Sequence, residues 1–160
     1  MDSGTGDQSG LQHNSELQHN SELQRNIERW NRLAANTFWD YLGCQIAEIS
    51  AEKVIVTLDI QPHHLNLIGI VHGGVHATLI DSAMGLVAMV ARPDDAVVTT
   101  NLSMNYVAKA ERGRLIVTAE MIHSSRKSIS TQAFARLENG ELCAFGTGTF
   151  RVIDGAVKQD

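Results

Sequence analysis

The feature that most limits how this chain can fold is an apolar run from Gly73 to Ala91. Most of its residues are Ala, Val, Leu, Ile, Met and Gly, and Asp81 is its only acidic residue. A helix of this length that is apolar on nearly every side must be covered on nearly every side. The run therefore predicts a long central helix wrapped by a curved sheet, with another surface covering the remainder.

A membrane-spanning helix is the alternative interpretation of a run of this length. His76, Asp81 and Ser82 interrupt it, and the segments that follow alternate like the strands of a soluble sheet. The first residues, MDSGTGDQSG, lack the basic and apolar regions of a signal peptide. Cys44 and Cys143 show no CxxC spacing, which suits buried thiols in a reducing compartment. We therefore expect a cytoplasmic protein with no membrane partner.

Six segments outside the apolar run alternate apolar and polar residues with the period of two that is typical of strands. The Asn139-Gly140 pair between the last two is a strong hairpin signal. The predicted strands are Cys44–Ser50, Lys53–Ile60, Val97–Val107, Arg114–His123, Ser128–Glu138 and Leu142–Val152. Their order predicts an α+β fold with an N-terminal helix, two strands, the long helix and then four strands in a meander.

The start of the chain is organised differently. Residues 11–16 read LQHNSE, residues 17–22 repeat this hexad, and a decayed third copy follows. Such a polar repeat predicts a disordered tail, with a partner-binding segment as the alternative. The predicted organisation is a polar tail over 1–20, a helical extension over 21–35, the main domain over 36–153 and a C-terminal tail over 154–160.

From Leu23 to Tyr41 the apolar residues recur every three or four positions, which predicts an amphipathic helix with a break near Asn36. Gly43 is the predicted C-terminal stop. Phe38 lies in an aromatic cluster near the end of this helix. Aromatic residues at this spacing form part of a core or line a ligand pocket, and the pattern allows both.

The start of the apolar run carries the strongest chemical signal. Gly73 and Gly74 let a backbone N–H approach a ligand closely at a helix N-terminus, where the helix dipole favours a developing negative charge. Asp81 would be costly to bury for packing alone, which predicts a functional carboxylate. Gly73 and Asp81 are separated by about 12 Å along one helix. If both act on one carbonyl, a two-fold dimer that places Gly73 of one chain beside Asp81 of the other is the simplest arrangement.

The net charge limits the possible partners. The formal charge is −5 and the pI is near 5.8, and no segment forms a basic stripe. Because nucleic-acid binding depends on basic residues that contact phosphates, a nucleic-acid partner is not expected.

One block of residues resembles a known family. Asn66, the HGG sequence at residues 72–74 and Asp81 are followed by a strand carrying TTNLSMNY. Their spacing resembles the hotdog-fold acyl-CoA thioesterases of the phenylacetate-degradation type, over about residues 36–152. The resemblance implies a hotdog fold, an acyl-CoA substrate and a homo-oligomer that is at least a dimer, with a tetramer as the larger alternative.

The resemblance also implies roles for individual residues. The Gly73 amide would bind the thioester oxygen, and Asn66 would help to position the thioester. Asp81 of the partner subunit would act as nucleophile or as base on water. Thr99 would orient that water, with Thr100 as the alternative by ungapped counting.

Several side chains near this block have more than one interpretation. His72 is a candidate substrate contact or acid–base group, but a histidine in a tight turn more often holds the loop through hydrogen bonds. His72, His76, His63 and His64 together suggest zinc, yet no cysteine or glutamate completes a set, so we expect no metal. No dinucleotide motif is present, and we expect no organic cofactor apart from the coenzyme A of the substrate.

Arg126 and Lys127 form part of the predicted turn SSRK. In the resembled family such a turn often binds the phosphates of coenzyme A, so these two residues are candidate substrate contacts. The alternative is an ordinary solvated turn, because that is where most Arg-Lys pairs lie.

The predicted function is hydrolysis of an acyl- or aryl-CoA thioester to the free acid and coenzyme A, at a site shared between two subunits. Two alternatives remain: a non-catalytic hotdog module that binds acyl-CoA, and a hotdog hydratase or dehydratase acting on an enoyl thioester. The first would need an output domain, and the second typically pairs a histidine with an acid in a different motif.

Overall fold

The computed structural model describes residues 24–25, 27–153 and 155. The predicted polar tail over 1–20 and nearly all of the predicted C-terminal tail lie outside these residues. Helix α1 includes residues 24–25 and 27–34, and helix α2 runs over Phe38–Leu42. The predicted break lies between them at Asn36, which has a φ of 62°. Gly43 ends α2 with a φ of 78°, a left-handed conformation that glycine adopts without strain, so the predicted helix stop is confirmed.

Six antiparallel strands form one sheet, and the predicted α+β class is confirmed. Helix α3, Gly73–Ala91, lies between the second and third strands in sequence. The strands are β1 (Gln45–Ile49), β2 (Lys53–Asp59), β3 (Ala96–Tyr106), β4 (Arg114–Ser124), β5 (Ser128–Leu137) and β6 (Leu142–Ile153). All six agree with the predicted segments to within about two residues.

The prediction of a four-strand meander is wrong. The order across the sheet is β1-β2-β4-β5-β6-β3, so β3 pairs with β6 and not with β4. Helix α3 crosses the sheet between β2 and β3, and the chain therefore enters β3 at the far edge. The position beside β4 is then taken by β2, and only β4, β5 and β6 form a meander.

Helix α3 packs against the concave face of the sheet and contacts β2, β3, β4, β5 and β6. Two glycines of β6 allow this close approach. A Cβ on Gly146 would lie 2.6 Å from the backbone oxygen of Ser103 and 3.3 Å from Ile80 of α3. A Cβ on Gly148 would lie 2.8 Å from the methyl group of Met84. The lack of side chains at these positions therefore sets how near the helix lies to the sheet.

One face of α3 and the outer edge of the sheet remain uncovered by the described residues. By length and mean hydropathy α3 could span a bilayer, but half of it is already buried against the sheet. The core helices of soluble proteins pass the same test. Strand β3 is an edge strand with mostly exposed side chains, among them Val98 and Tyr106. The described residues of the single chain therefore do not supply the surface that was predicted to cover the rest of α3.

A buried histidine ties α2 to the loop before α3. The Nε2 of His64 lies 2.9 Å from the carbonyl oxygen of Leu42, the last residue of α2. Its Nδ1 accepts a hydrogen bond from the Gln61 backbone N–H at 3.0 Å. Because Nδ1 accepts, Nε2 must be the donor, and the ring is held in its neutral form.

Candidate active site

The first turn of α3 leaves one backbone amide free. His72 is the N-cap, and its Nδ1 accepts a hydrogen bond of 2.8 Å from the Gly74 N–H. Its carbonyl oxygen accepts a bond of 2.9 Å from the Val75 N–H. Among the described residues, the Gly73 N–H has no hydrogen-bond partner. A free N–H at a helix N-terminus is suited to bind a developing oxyanion.

The structure therefore gives the two glycines different tasks. Gly74 supplies its amide to His72, and a Cβ there would lie only 3.0 Å from the His72 Nδ1. His72 accordingly holds the turn, as the loop-holding interpretation predicts. Its ring is also exposed and borders a cavity, so it remains a candidate substrate contact.

The sequence analysis missed Tyr106, which lies at the end of β3 beside the same turn. Its hydroxyl donates a hydrogen bond of 3.2 Å to the carbonyl oxygen of Gly73. A Cβ on Gly73 would lie 3.4 Å from the Tyr106 ring. This contact depends on which strand lies beside the helix, so no local signal in the sequence indicates it.

Asn66 orders the loop that leads to α3. Its Oδ1 accepts hydrogen bonds from the backbone N–H groups of Ile68, at 3.1 Å, and Ile70, at 3.2 Å. Its own backbone N–H donates to the Ile70 carbonyl oxygen at 2.8 Å. Since Oδ1 already accepts two bonds, the side-chain NH₂ is the part of Asn66 that is suited to contact a substrate oxygen.

Asp81 is partly buried, and its carboxylate accepts a hydrogen bond from Thr99, the residue that ungapped counting selects. The Thr99 hydroxyl donates a hydrogen bond of 3.0 Å to the Asp81 Oδ1. Thr100 instead donates to the Thr149 carbonyl oxygen at 3.0 Å. Successive side chains of a strand point in different directions, and a register irregularity also lies between Thr99 and Asn101 in the pairing of β3 with β6. The geometry favours Thr99 over Thr100 as the partner of the carboxylate.

A cavity of about 320 Å³ opens beside the N-terminus of α3. Its lining is mostly apolar, and it consists of Phe38, Leu42, His63, Leu65, His72, Gly74, Val75 and Thr78. Phe38 thus lines a pocket, whereas Trp39 packs against the core and Tyr41 is 75% exposed and outside the lining. The aromatic cluster of α2 therefore divides between the two predicted roles.

Arg126 and Lys127 lie exposed in the turn between β4 and β5. Arg92, just after α3, donates hydrogen bonds to the Ser124 hydroxyl at 3.1 Å and to the Ser125 carbonyl oxygen at 2.9 Å. The guanidinium of Arg92 therefore anchors the turn while the other two cations face solvent. Such a turn can present charge to an anionic group.

The histidines near the site do not form a metal centre in the described part of the chain. No three His, Cys, Asp or Glu side chains lie close enough there to hold an ion. Burial lowers the pKa of His64, and the neighbouring His63 adds to this effect. Burial also lowers the pKa of His76, whose Nδ1 has no hydrogen-bond partner among the described residues. His64 and His76 are accordingly neutral residues of the core.

Comparison with known proteins agrees with this geometry. The family model described as "Thioesterase superfamily" matches residues 68–144, which include the HGG turn, Asp81 and Thr99. A putative esterase of Mycobacterium tuberculosis is 31% identical over 90 residues, covering 54% of this chain. Over residues 68–144, just under half of its length, the chain is similar to the thioesterase superfamily. The mycobacterial match spans 64% of that esterase, which is just under two thirds of its length.

Other proteins match over longer stretches. Mouse acyl-coenzyme A thioesterase 13 is 27% identical over 110 residues, which cover 65% of this chain and 76% of that protein. The crystal structure of a Haemophilus influenzae thioesterase has a TM-score of 0.77 and 22% identity, covering 83% of this chain and 92% of that one. The Escherichia coli PaaI protein of the phenylacetic acid degradation operon has a TM-score of 0.74 and 19% identity, covering 80% and 92%. At these identities the two structures establish the fold alone, and the predicted hotdog fold is confirmed.

Proposed function

We propose that this chain is a member of the thioesterase superfamily and hydrolyses acyl- or aryl-CoA thioesters to the free acid and coenzyme A. The observation that carries the proposal is the pairing of a free Gly73 amide at the N-terminus of α3 with an Asp81–Thr99 hydrogen bond on the same helix. One group is suited to stabilise an oxyanion, and the other is suited to supply or activate the attacking oxygen. The name of the mouse relative, an acyl-coenzyme A thioesterase, supports the choice of substrate.

The reaction assigns a task to each group. The Gly73 N–H donates a hydrogen bond to the thioester oxygen as that oxygen becomes negative, which contributes a few kcal/mol in oxyanion holes of this kind. Asp81 removes a proton from a water that attacks the carbonyl carbon, or attacks that carbon directly to form a mixed anhydride that water then hydrolyses. The C–S bond breaks, and the departing thiolate takes up a proton that comes from water. Thr99 fixes one carboxylate oxygen, so the other faces the carbonyl.

Two chains are needed for this chemistry. Gly73 and Asp81 lie on one straight helix and are separated by about 12 Å along its axis. The uncovered face of α3 and the exposed edge strand β3 offer a surface for a second copy. We therefore place Asp81 and Thr99 of one chain opposite Gly73 and Asn66 of its partner.

The test is a thiol-release assay over short, long and aromatic CoA thioesters. We expect hydrolysis of a saturated acyl- or aryl-CoA by the wild-type chain, and a fall in kcat of at least about 10²-fold in Asp81→Asn. Thermal unfolding controls for folding of the variant. Near-wild-type turnover in Asp81→Asn would exclude this mechanism.

The same assay separates the alternatives. A non-catalytic acyl-CoA module would bind the thioesters and release no thiol. A hydratase or dehydratase would act on an enoyl or hydroxyacyl thioester and leave a saturated one intact. Either result in the wild-type chain would overturn the proposed function.

A further inference from the structure

The peptide bonds around Gly73 are held from both sides of the turn. The peptide between Gly73 and Gly74 donates its N–H to His72 and accepts at its carbonyl oxygen from the Tyr106 hydroxyl. The preceding peptide accepts at the His72 carbonyl oxygen from the Val75 N–H. Three of the four polar groups of these two peptides are therefore occupied. The fourth is the Gly73 N–H.

We propose that Tyr106 is a positioning residue that aims the free Gly73 amide at the thioester oxygen. This inference rests on the function proposed above. An oxyanion donor acts well only when its direction is fixed before the reaction, because reorienting it costs part of the stabilisation. His72 fixes the Gly73-Gly74 peptide at its nitrogen, and Tyr106 fixes it at its oxygen. Without the phenol hydroxyl that peptide keeps only one anchor, and the torsions at the Gly73 Cα that set the direction of the Gly73 N–H are less constrained.

The surroundings of Tyr106 hold its ring in place. The ring of His76, which is 3% exposed, packs against it edge to face with centroids 6.2 Å apart. On the other side a Cβ on Gly73 would lie 3.4 Å from the ring, which is van der Waals distance, so the ring packs directly against the Gly73 backbone. The hydroxyl is thus delivered by a ring that is itself positioned by α3.

A purely structural role does not explain the hydroxyl. In the single chain Tyr106 is 54% exposed on an edge strand, and it is not part of the buried core. A hydrogen bond on an exposed residue contributes little to the free energy of unfolding, since water replaces the lost partner. The contact matters for the direction of Gly73 more than for the stability of the fold.

The chain supplies its own control for testing this. It has two tyrosines, and the Tyr41 hydroxyl makes no hydrogen bond in the part of the chain that the structure describes. Tyr106→Phe and Tyr41→Phe each remove one phenol oxygen and keep the ring. For Tyr106→Phe we expect kcat to fall about tenfold, with KM changed by less than about twofold and an unchanged melting temperature. Tyr41→Phe should match the wild type in all three.

A second measurement, by NMR, reports on the amides of Gly73 and Gly74 directly and needs no substrate. In chains labelled with ¹⁵N-glycine, Tyr106→Phe should shift the Gly73 and Gly74 amide resonances, because their shared peptide loses a hydrogen bond while the ring remains. Tyr41→Phe should leave both resonances in place. The proposal requires the kcat change and the resonance shift together.

Three results would overturn it. An unchanged kcat, or unchanged Gly73 and Gly74 resonances in Tyr106→Phe, would show that the hydroxyl does not aim the amide. A melting temperature that falls together with kcat in Tyr106→Phe would show a structural role. A wild-type chain that hydrolyses no thioester would overturn the proposed function and the catalytic part of this proposal, while the resonances would still report whether Tyr106 holds the turn.

Discussion

Two neighbouring threonines of β3 make different contacts although they have the same chemistry. Thr99 bonds Asp81 across the helix–sheet interface, and Thr100 bonds the backbone of β6. Ungapped counting from the resembled family selects Thr99 and leaves Thr100 as the alternative. It cannot predict the register irregularity between Thr99 and Asn101 in the pairing with β6.

At the same scale, Tyr106 and His64 escaped prediction for one physical reason. Each acts through a contact with a residue distant in sequence, Gly73 in one case and Leu42 in the other. Such contacts depend on strand order and loop packing, which local patterns do not encode. His72 was open to prediction because its partner is Gly74, two residues away.

The buried histidines should make stability depend on pH. Burial lowers the pKa of both His64 and His76 in the folded chain, so the unfolded chain binds protons first as the pH falls. Their contribution is complete above about pH 6.5 and is lost as the pH falls toward their folded pKa values. We expect a lower melting temperature at about pH 5 than at about pH 7.

His76→Leu provides the matched comparison. The substitution removes an imidazole whose Nδ1 has no partner among the described residues, so at neutral pH it should not reduce the melting temperature. It should also reduce the difference between the two pH values. A wild-type melting temperature that does not change with pH would contradict this account.

At the scale of elements, the strands were predicted well and their order was not. Alternation along β2 or β5 is a local property, and both strands keep it in the structure, with every second residue buried. The neighbour of β3 is decided by the path of α3 across the sheet, which no pattern within β3 reveals. The cavity beside α2 could not be predicted from the sequence either, since α2, the loop before α3 and α3 itself each supply part of its lining.

The turn between β4 and β5 is the element whose proposed role depends most on charge. Reversing its charges with Arg126→Glu and Lys127→Glu should raise KM for CoA thioesters far more than it lowers kcat. Contacts to remote phosphates are made equally in the ground state and the transition state, which gives this split.

A substrate that cannot reach the turn is the control for this double variant. An N-acetylcysteamine thioester has no nucleotide phosphates, so the double variant should hydrolyse it as the wild type does. If the KM of the double variant rises equally for both substrates, or for neither, Arg126 and Lys127 form a solvated turn and the phosphates bind elsewhere.

For the whole molecule, the proposed dimer would cover the exposed side of α3 and strand β3. The proposed dimer predicts complementation between two inactive variants. Asp81→Ala removes the carboxylate, and Gly73→Pro removes the free N–H at a helix position that tolerates proline, after a His72 that is already extended. Mixed chains should regain about a quarter of wild-type activity, since half the dimers are mixed and one of their two sites is intact.

Subunit exchange must be shown separately, for example with differently tagged chains. Mixed dimers that form without any recovery of activity would count against sites shared between subunits. Each variant alone should stay inactive and keep a melting temperature near that of the wild type.

The glycines of β6 have a consequence for engineering this chain. Glycine weakens a strand, and routine stabilisation would replace Gly146 with a residue of higher strand propensity. A side chain there would collide with the Ser103 backbone and press on Ile80, the neighbour of Asp81. Relief would come from widening the gap between helix and sheet, the same gap that the Thr99–Asp81 hydrogen bond spans. Gly146 therefore acts as a spacer for the distance between Thr99 and Asp81, and a redesign that improved the strand would disturb the proposed site from more than sixty residues away in sequence.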